Sequence, residues 1–329
     1  MKAWYVKQLA DPEDALVLEE VPEPTPGPGE ALIRVEAAAL NFFDILLCQG
    51  KYQEKPPLPF TPGSEIAGTI VAVGEGCSWL PGQRVIATPP LPRGGYAQLV
   101  AVQEENLYPA PENMPSEKAA AMYITYQTAY YALHHRAQLQ AGEVLLVHAG
   151  AGGVGSAAIQ LGKAAGARVI ATAGGPEKVQ ICRELGADVV IDYLQEDFVD
   201  IVKRETDGQG ADVIFDPVGG DTFDRSRKCI AFDGRILVIG FAGGRIADAP
   251  TNHVLVKNYS VVGVHWGLFR RRQPDQVADI HRRLLDLVEQ GVIDPLIYRT
   301  FPMNQLPQAL HLLGGRKTWG KLVLLPWAE

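Results

Sequence analysis

The chain has 329 residues, 47% hydrophobic and 21% charged, which is a globular composition and more chain than one hydrophobic core ordinarily serves, so two domains are expected. Thirty basic residues against 38 acidic ones leave a net charge of −8, with a pI near 5.5. That balance excludes a general basic footprint for nucleic acid or anionic membrane and favours a small-molecule partner.

The N-terminal Met1-Lys2-Ala3-Trp4-Tyr5-Val6-Lys7 runs into Asp11, Glu13 and Asp14, which reads as no secretory signal, and no apolar run is long enough to span a membrane, so a cytoplasmic address is expected. Cys48, Cys77, Cys182 and Cys229 form no Cys-x-x-Cys pair and read as reduced structural thiols. The first third is β-rich, with strands expected at 31–35 and 66–73 fenced by proline and glycine, as in a compact barrel. The proline-dense segment 21–29 reads as a connection between strands.

From about residue 141 β-branched runs at 144–147, 168–172, 188–191, 212–215 and 235–239 alternate with helical spacing at 177–185, 198–204 and 222–230. This is the pattern of a doubly wound parallel sheet. A last strand at 260–264 is apolar enough, as an edge, to pair with a second subunit. A helix at 276–290 and a closing strand at 322–325 follow, and the tail is expected to return to the first domain.

The strand at 144–148 runs directly into Ala149-Gly150-Ala151-Gly152-Gly153-Val154-Gly155, followed by a helical stretch. Gly150, Gly152 and Gly155 make a G-x-G-x-x-G in the strand-turn-helix context that dinucleotide binding requires: a tight turn, close approach to the pyrophosphate, and close helix–strand packing. Where a NAD site usually sets a carboxylate on the ribose, the chain reads Ala173-Gly174-Gly175-Pro176. The missing acid and the nearby Lys178 favour NADPH, while Glu177 could face the ribose instead.

These segments, with Pro26-Gly27-Pro28-Gly29-Glu30, Asn41-Phe42-Phe43-Asp44, Pro62-Gly63-Ser64-Glu65-Ile66-Ala67-Gly68, Gly82-Gln83-Arg84-Val85, Gly94-Gly95-Tyr96-Ala97 and Gly320-Lys321, give a likeness spanning nearly the whole chain. It resembles the medium-chain dehydrogenase/reductase superfamily, and within it the zinc-independent quinone oxidoreductases related to zeta-crystallin. The resemblance implies an α/β chain with a Rossmann doubly wound parallel sheet at 123–267 and a GroES-like, partly open β-barrel substrate domain at 1–122 and 268–329. Zinc members of the superfamily place Cys at Asn41, His at Ser64 and a second Cys near Ile124, and segment 86–93 has no cysteine for a structural zinc, so no metal is expected. The seven histidines lack ligand spacing.

Without a Lewis acid, a localised alkoxide is hard to stabilise, whereas an enolate or phenolate can be held by one or two hydrogen-bond donors. Reduction of a quinone or of the activated C=C bond of an enone is therefore expected. The resemblance puts Asn41 and Thr128 beside the nicotinamide and Tyr52 at the substrate mouth, although a half-buried structural aromatic is an equal reading of Tyr52. It also assigns the cofactor to Gly150, Gly152, Gly153, Val154 and Gly155, the 2′-phosphate to Gly174, Lys178, Tyr193 and Arg316, and the nicotinamide flank to Gly240, Phe241, Ala242, His265 and Trp266. Asp44 reads as an orienting or structural acid, and the run Arg270-Arg271-Arg272 as a solvated face. A homodimer through the last Rossmann strand is expected. The competing readings are an enoyl-thioester reductase and a non-catalytic NADPH-binding protein with a structural or RNA-binding role.

Overall fold

A computed structural model describes residues 1–328. The chain divides into two compact units, Met1–Ile124 together with the chain from Asp294 onward, and Thr125–Ile293.

In the first unit the ten-residue strand Glu30–Ala39 is the organising element. Ala31, Ile33, Val35 and Ala37 to Ala39 are fully buried, because Ile66–Val73 pairs along one side while the other is shared by Leu99–Gln103 and the end of Lys321–Leu325. That branching curls the sheet into a partly open barrel, which continues through Arg84–Ala87 and Leu107–Pro109 on one side and Ile297–Pro302 on the other. As the proline content implies, segment 21–29 is an irregular connection. Its last turn is held by Glu30, whose Oε2 accepts from the Gly27 N–H at 2.9 Å while Oε1 accepts from Arg93 at 2.8 Å.

The second unit holds a six-stranded parallel sheet in the order Val189–Asp192, Arg168–Ala173, Val144–Val147, Ala211–Asp216, Ile230–Val238, Ser260–Gly263. Leu145, Leu146, Val213, Ile214 and Phe215 are fully buried, as strands covered by helices on both faces require. In a parallel sheet all carboxyl ends lie along one edge, so the loops after these strands gather there, on either side of the strand-order reversal next to Val144–Val147.

Three sequence expectations shift. The helix expected at 222–230 is Gly220–Ser226: the Ala211 N–H donates to Cys229 O at 2.9 Å and Ala211 pairs with Ile230, so sheet pairing takes the last residues. The second unit continues to Ile293 instead of ending at 267, because Trp266–Arg272 packs Phe269 on Tyr131, ring centroids 4.1 Å apart, and Pro274–Glu289 buries Val277, Ile280 and Leu284 at helical spacing. The start also moves from 123 to 125, inside the helix Ser116–Tyr130, which continues into a π-helical turn at Tyr131–Arg136 that periodicity does not resolve.

Candidate active site

The strand Val144–Val147 passes through buried His148 into Ala149, whose φ of 50° is left-handed, and the helix Gly153–Ala164 begins four residues later. A Cβ on Gly155 would lie 2.2 Å from the Ala149 carbonyl oxygen, and one on Gly150 would lie 2.9 Å from the Cys182 Sγ. These glycines are therefore demanded by backbone approach and helix–strand packing. The first-turn N–H groups at Gly153, Val154 and Gly155 have no helical acceptor four residues back, so the loop offers donors and a positive dipole end suited to a diphosphate.

His148 locks this corner from inside. Its Nδ1 lies 3.0 Å from Thr172 Oγ1 and its Nε2 lies 2.8 Å from Ser226 Oγ. Ser226 Oγ donates to the Thr222 carbonyl at 2.7 Å, which assigns the imidazole proton to Nε2. Burial pushes His148 down from 6.5 to about 3, so the folded state keeps it neutral where the unfolded chain protonates it. Stability from His148 is full above pH 6.5 and is lost at about 1.4 kcal/mol per pH unit as pH falls toward 3. Burial raises Asp44 from 3.8 to about 6, which acts in the opposite sense between those values. We expect His148→Gln, measured by urea unfolding from pH 7 to 4, to flatten the acid loss by about that slope; parallel curves for variant and parent would remove His148 as the cause.

After Arg168–Ala173, the hydroxyl of half-exposed Tyr193 lies over Gly174, where a Cβ would come within 2.5 Å of it. Lys178 is on the first turns of Pro176–Glu184, and burial lowers its pKa, with Glu177 opposing. Asp192, a carboxylate absent from the sequence expectation, accepts through Oδ1 from the Gly175 and Leu194 N–H groups at 3.0 and 3.1 Å and so fixes this turn. Further along the edge, the Ala242 N–H donates to Pro217 O at 3.0 Å, and a Cβ on Gly219 would meet the Phe241 ring at 3.1 Å, so segments 217–219 and 240–242 pack as one wall. His265 caps Trp266–Arg272, its Nδ1 accepting from the Leu268 N–H at 3.0 Å, and Trp266 is buried. Thr128 is 8% exposed on Ser116–Tyr130.

The first unit holds Asn41, Tyr52 and Arg316. Tyr52 is half-buried and stacks on Phe43, ring centroids 5.3 Å apart, and Arg316 is exposed with φ at 56°. Asn41 begins the helix Phe42–Cys48 in a capping box with Asp44, whose Oδ2 accepts from the Asn41 N–H at 2.8 Å and from the buried Tyr96 hydroxyl at 2.6 Å. The Asn41 side chain is held by two residues that lie in the segments 62–68 and 320–321 of the family likeness but were given no role there. Its Oδ1 accepts from the Lys321 ammonium at 2.7 Å and its Nδ2 donates to Glu65 Oε1 at 2.9 Å, while Lys321 Nζ lies 2.6 Å from the same Glu65 oxygen. Glu65 and the Lys321 side chain are 0% and 7% exposed. A zinc ion does not fit here. Asn41, Ser64 and Ile124 offer an amide, a hydroxyl and an alkyl group, and a fixed ammonium on the amide oxygen opposes a dication. Among the described residues no group of three His, Cys, Asp or Glu side chains could hold a metal.

A GroES-like barrel and a dinucleotide-binding sheet joined in one chain are the architecture of an alcohol-dehydrogenase type of oxidoreductase. Residues 27–112 match the alcohol dehydrogenase GroES-like domain and residues 153–284 match the zinc-binding dehydrogenase family. The quinone oxidoreductase-like protein 2 homolog of Nematostella vectensis is 40% identical over 301 residues, covering 91% of this chain and 82% of that protein. Rat quinone oxidoreductase is 32% identical over 327 residues, covering 99% and 98%. The structure of Escherichia coli quinone oxidoreductase complexed with NADPH aligns with a TM-score of 0.92 at 29% identity, covering 99% of this chain and 100% of that one. The chain belongs to the quinone oxidoreductase family of the medium-chain dehydrogenases/reductases.

Proposed function

We propose that the protein is a zinc-independent, NADPH-dependent oxidoreductase that reduces quinones or the activated C=C bond of enones. The observation that carries this reading is the donor set around Asn41, an amide clamped by an ammonium and a carboxylate where a zinc dehydrogenase needs thiolate and imidazole. Such a site suits a reaction whose negative charge is delocalised over a phenolate or enolate. Bound NADPH supplies a hydride. The first-turn N–H groups of Gly153, Val154 and Gly155, with Gly150 and Gly152 clearing the approach, hold the pyrophosphate. Gly174, Lys178, Tyr193 and Arg316 hold the 2′-phosphate, and Gly240, Phe241, Ala242, His265 and Trp266 flank the nicotinamide. Asn41 and Thr128 donate hydrogen bonds at the reacting end, and Tyr52 stands at the substrate entrance.

Two further parts of the reading rest on the second unit and on the thiols. The edge strand Ser260–Gly263 has one sheet neighbour, and nearby Leu255 and Val256 on Thr251–Lys257 are 79% and 82% exposed, which supports a homodimer through that edge. All four cysteines are free, and burial pushes Cys48, Cys182 and Cys229 up to about 12, chemistry suited to the cytoplasm. No helix among the described residues is long and apolar enough to cross a membrane.

The test is oxidation of NADPH and of NADH, followed at the nicotinamide absorbance, with 1,4-benzoquinone, 9,10-phenanthrenequinone and a simple enone offered separately, and the mass of the assembly read by light scattering. We expect NADPH to exceed NADH by at least about tenfold in kcat/KM, the effect of roughly one charge-assisted contact. Tight NADPH binding without turnover on any acceptor would overturn the enzyme assignment, and a monomer would overturn the edge pairing.

A further inference from the structure

Three neighbouring strands bring the charged cluster together. Asn41 follows Glu30–Ala39, Glu65 precedes Ile66–Val73, and Lys321 opens Lys321–Leu325; Ala38 pairs with both Ile66 and Leu324, and the Leu40 N–H donates to Leu322 O at 2.9 Å. The arrangement admits one orientation of the Asn41 amide. With the amide reversed, its NH2 group would face the Lys321 ammonium and its oxygen would face the Glu65 carboxylate, two repulsive contacts in place of two charge-assisted hydrogen bonds. The remaining Glu65 oxygen, Oε2, accepts from the Ile124 N–H at 2.8 Å, so the carboxylate is fixed as well. An amide whose oxygen accepts from a full cation is a poorer acceptor and a stronger donor, because hydrogen bonds in a chain polarise one another. One Nδ2 hydrogen is engaged by Glu65, which leaves the other as the amide's uncommitted donor.

We propose that Lys321 is a positioning residue for the reduction. It acts through Asn41, locking and polarising the amide so that its free N–H meets the oxygen on which negative charge develops. This deepens the proposed function and rests on Asn41 standing at the reacting end.

The experiment uses a charge-balanced pair, Lys321→Met with Glu65→Gln, which leaves no lone buried charge and keeps an acceptor for the Ile124 N–H. NADPH dissociation constants, kcat and quinone KM are measured for the parent, this pair, Lys321→Arg, Asn41→Ala and Asn41→Ala in the pair. We expect the pair to keep NADPH affinity within about twofold while kcat falls by at least about tenfold, part of the 10²–10³ that one oxyanion donor is worth. Asn41→Ala in the pair should add little, since both changes remove the same donor, and Lys321→Arg should restore much of the rate. A pair that retains parental kcat while Asn41→Ala remains costly would overturn the proposal. So would NADPH affinity falling in step with kcat, the mark of a merely structural role. The Asn41 side-chain amide resonances read the clamp without turnover. We expect one exchange-protected proton, the one held by Glu65, beside a faster-exchanging one in the parent, and loss of that protection in the pair; identical spectra would reject the clamp. If the parent reduces no quinone while the spectra behave as expected, the failure belongs to the proposed function and not to the clamp.

Discussion

Lys321→Met alone is expected to lose about 3–5 kcal/mol of folding stability, a large share of the roughly 5–15 kcal/mol that holds a domain together. Its cause is the residue left behind. Glu65 is fully buried, its Oε1 depends on the ammonium 2.6 Å away, and removing that cation strands a carboxylate where water cannot reach it. The buried pair itself contributes little net stability, because desolvation of both charges offsets most of their attraction. Glu65→Gln on the same background should therefore recover most of the loss. Urea unfolding of the two variants beside the parent measures this directly, and a single variant as stable as the parent would show that the pair is not buried in solution.

Gly155→Ala is expected to weaken NADPH binding by about 1–3 kcal/mol, roughly 5- to 150-fold. The new Cβ would stand 2.2 Å from the Ala149 carbonyl oxygen, and that neighbour is backbone that no rotamer change can move aside. Ala149 is already held left-handed at φ 50°, so relief comes from lifting the first helical turn and its donor N–H groups off the loop. Titration of nicotinamide fluorescence checks it. Gly27→Ala, outside the cofactor loop, is the internal control, because a Cβ there comes no closer than 3.4 Å to its neighbours, and equal losses for the two variants would count against the overlap.

Local spacing was sufficient for the dinucleotide half of the protein. Each β-branched run between 144 and 263 formed a parallel strand because its residues are apolar on both faces, and the glycines at 150, 152 and 155 stand in a strand-turn-helix context that local sequence specifies. Where periodicity and pairing compete, pairing wins. Cys229 and Ile230 look helical in sequence yet are drawn into the sheet by Ala211, and Pro274–Glu289 remains in the second unit because its apolar stripe packs there.

At Asn41 the division is sharper. Its sequence neighbourhood specified a helix start, an amide in place of a zinc-binding thiolate, and Asp44 three residues on as a capping partner. It carried nothing about the clamp, since Glu65 and Lys321 lie 24 and 280 residues away and the segments that hold them, though part of the family likeness, say nothing of their meeting this amide. Only the sheet, by seating strand 321–325 against the end of strand 30–39, brought an ammonium and a carboxylate to that amide and excluded water from them. The sequence by itself determined which chemical groups are present, because side-chain chemistry is local. Tertiary structure decided which way those groups face and how strongly they act, because orientation and dielectric come from neighbours that only the fold supplies.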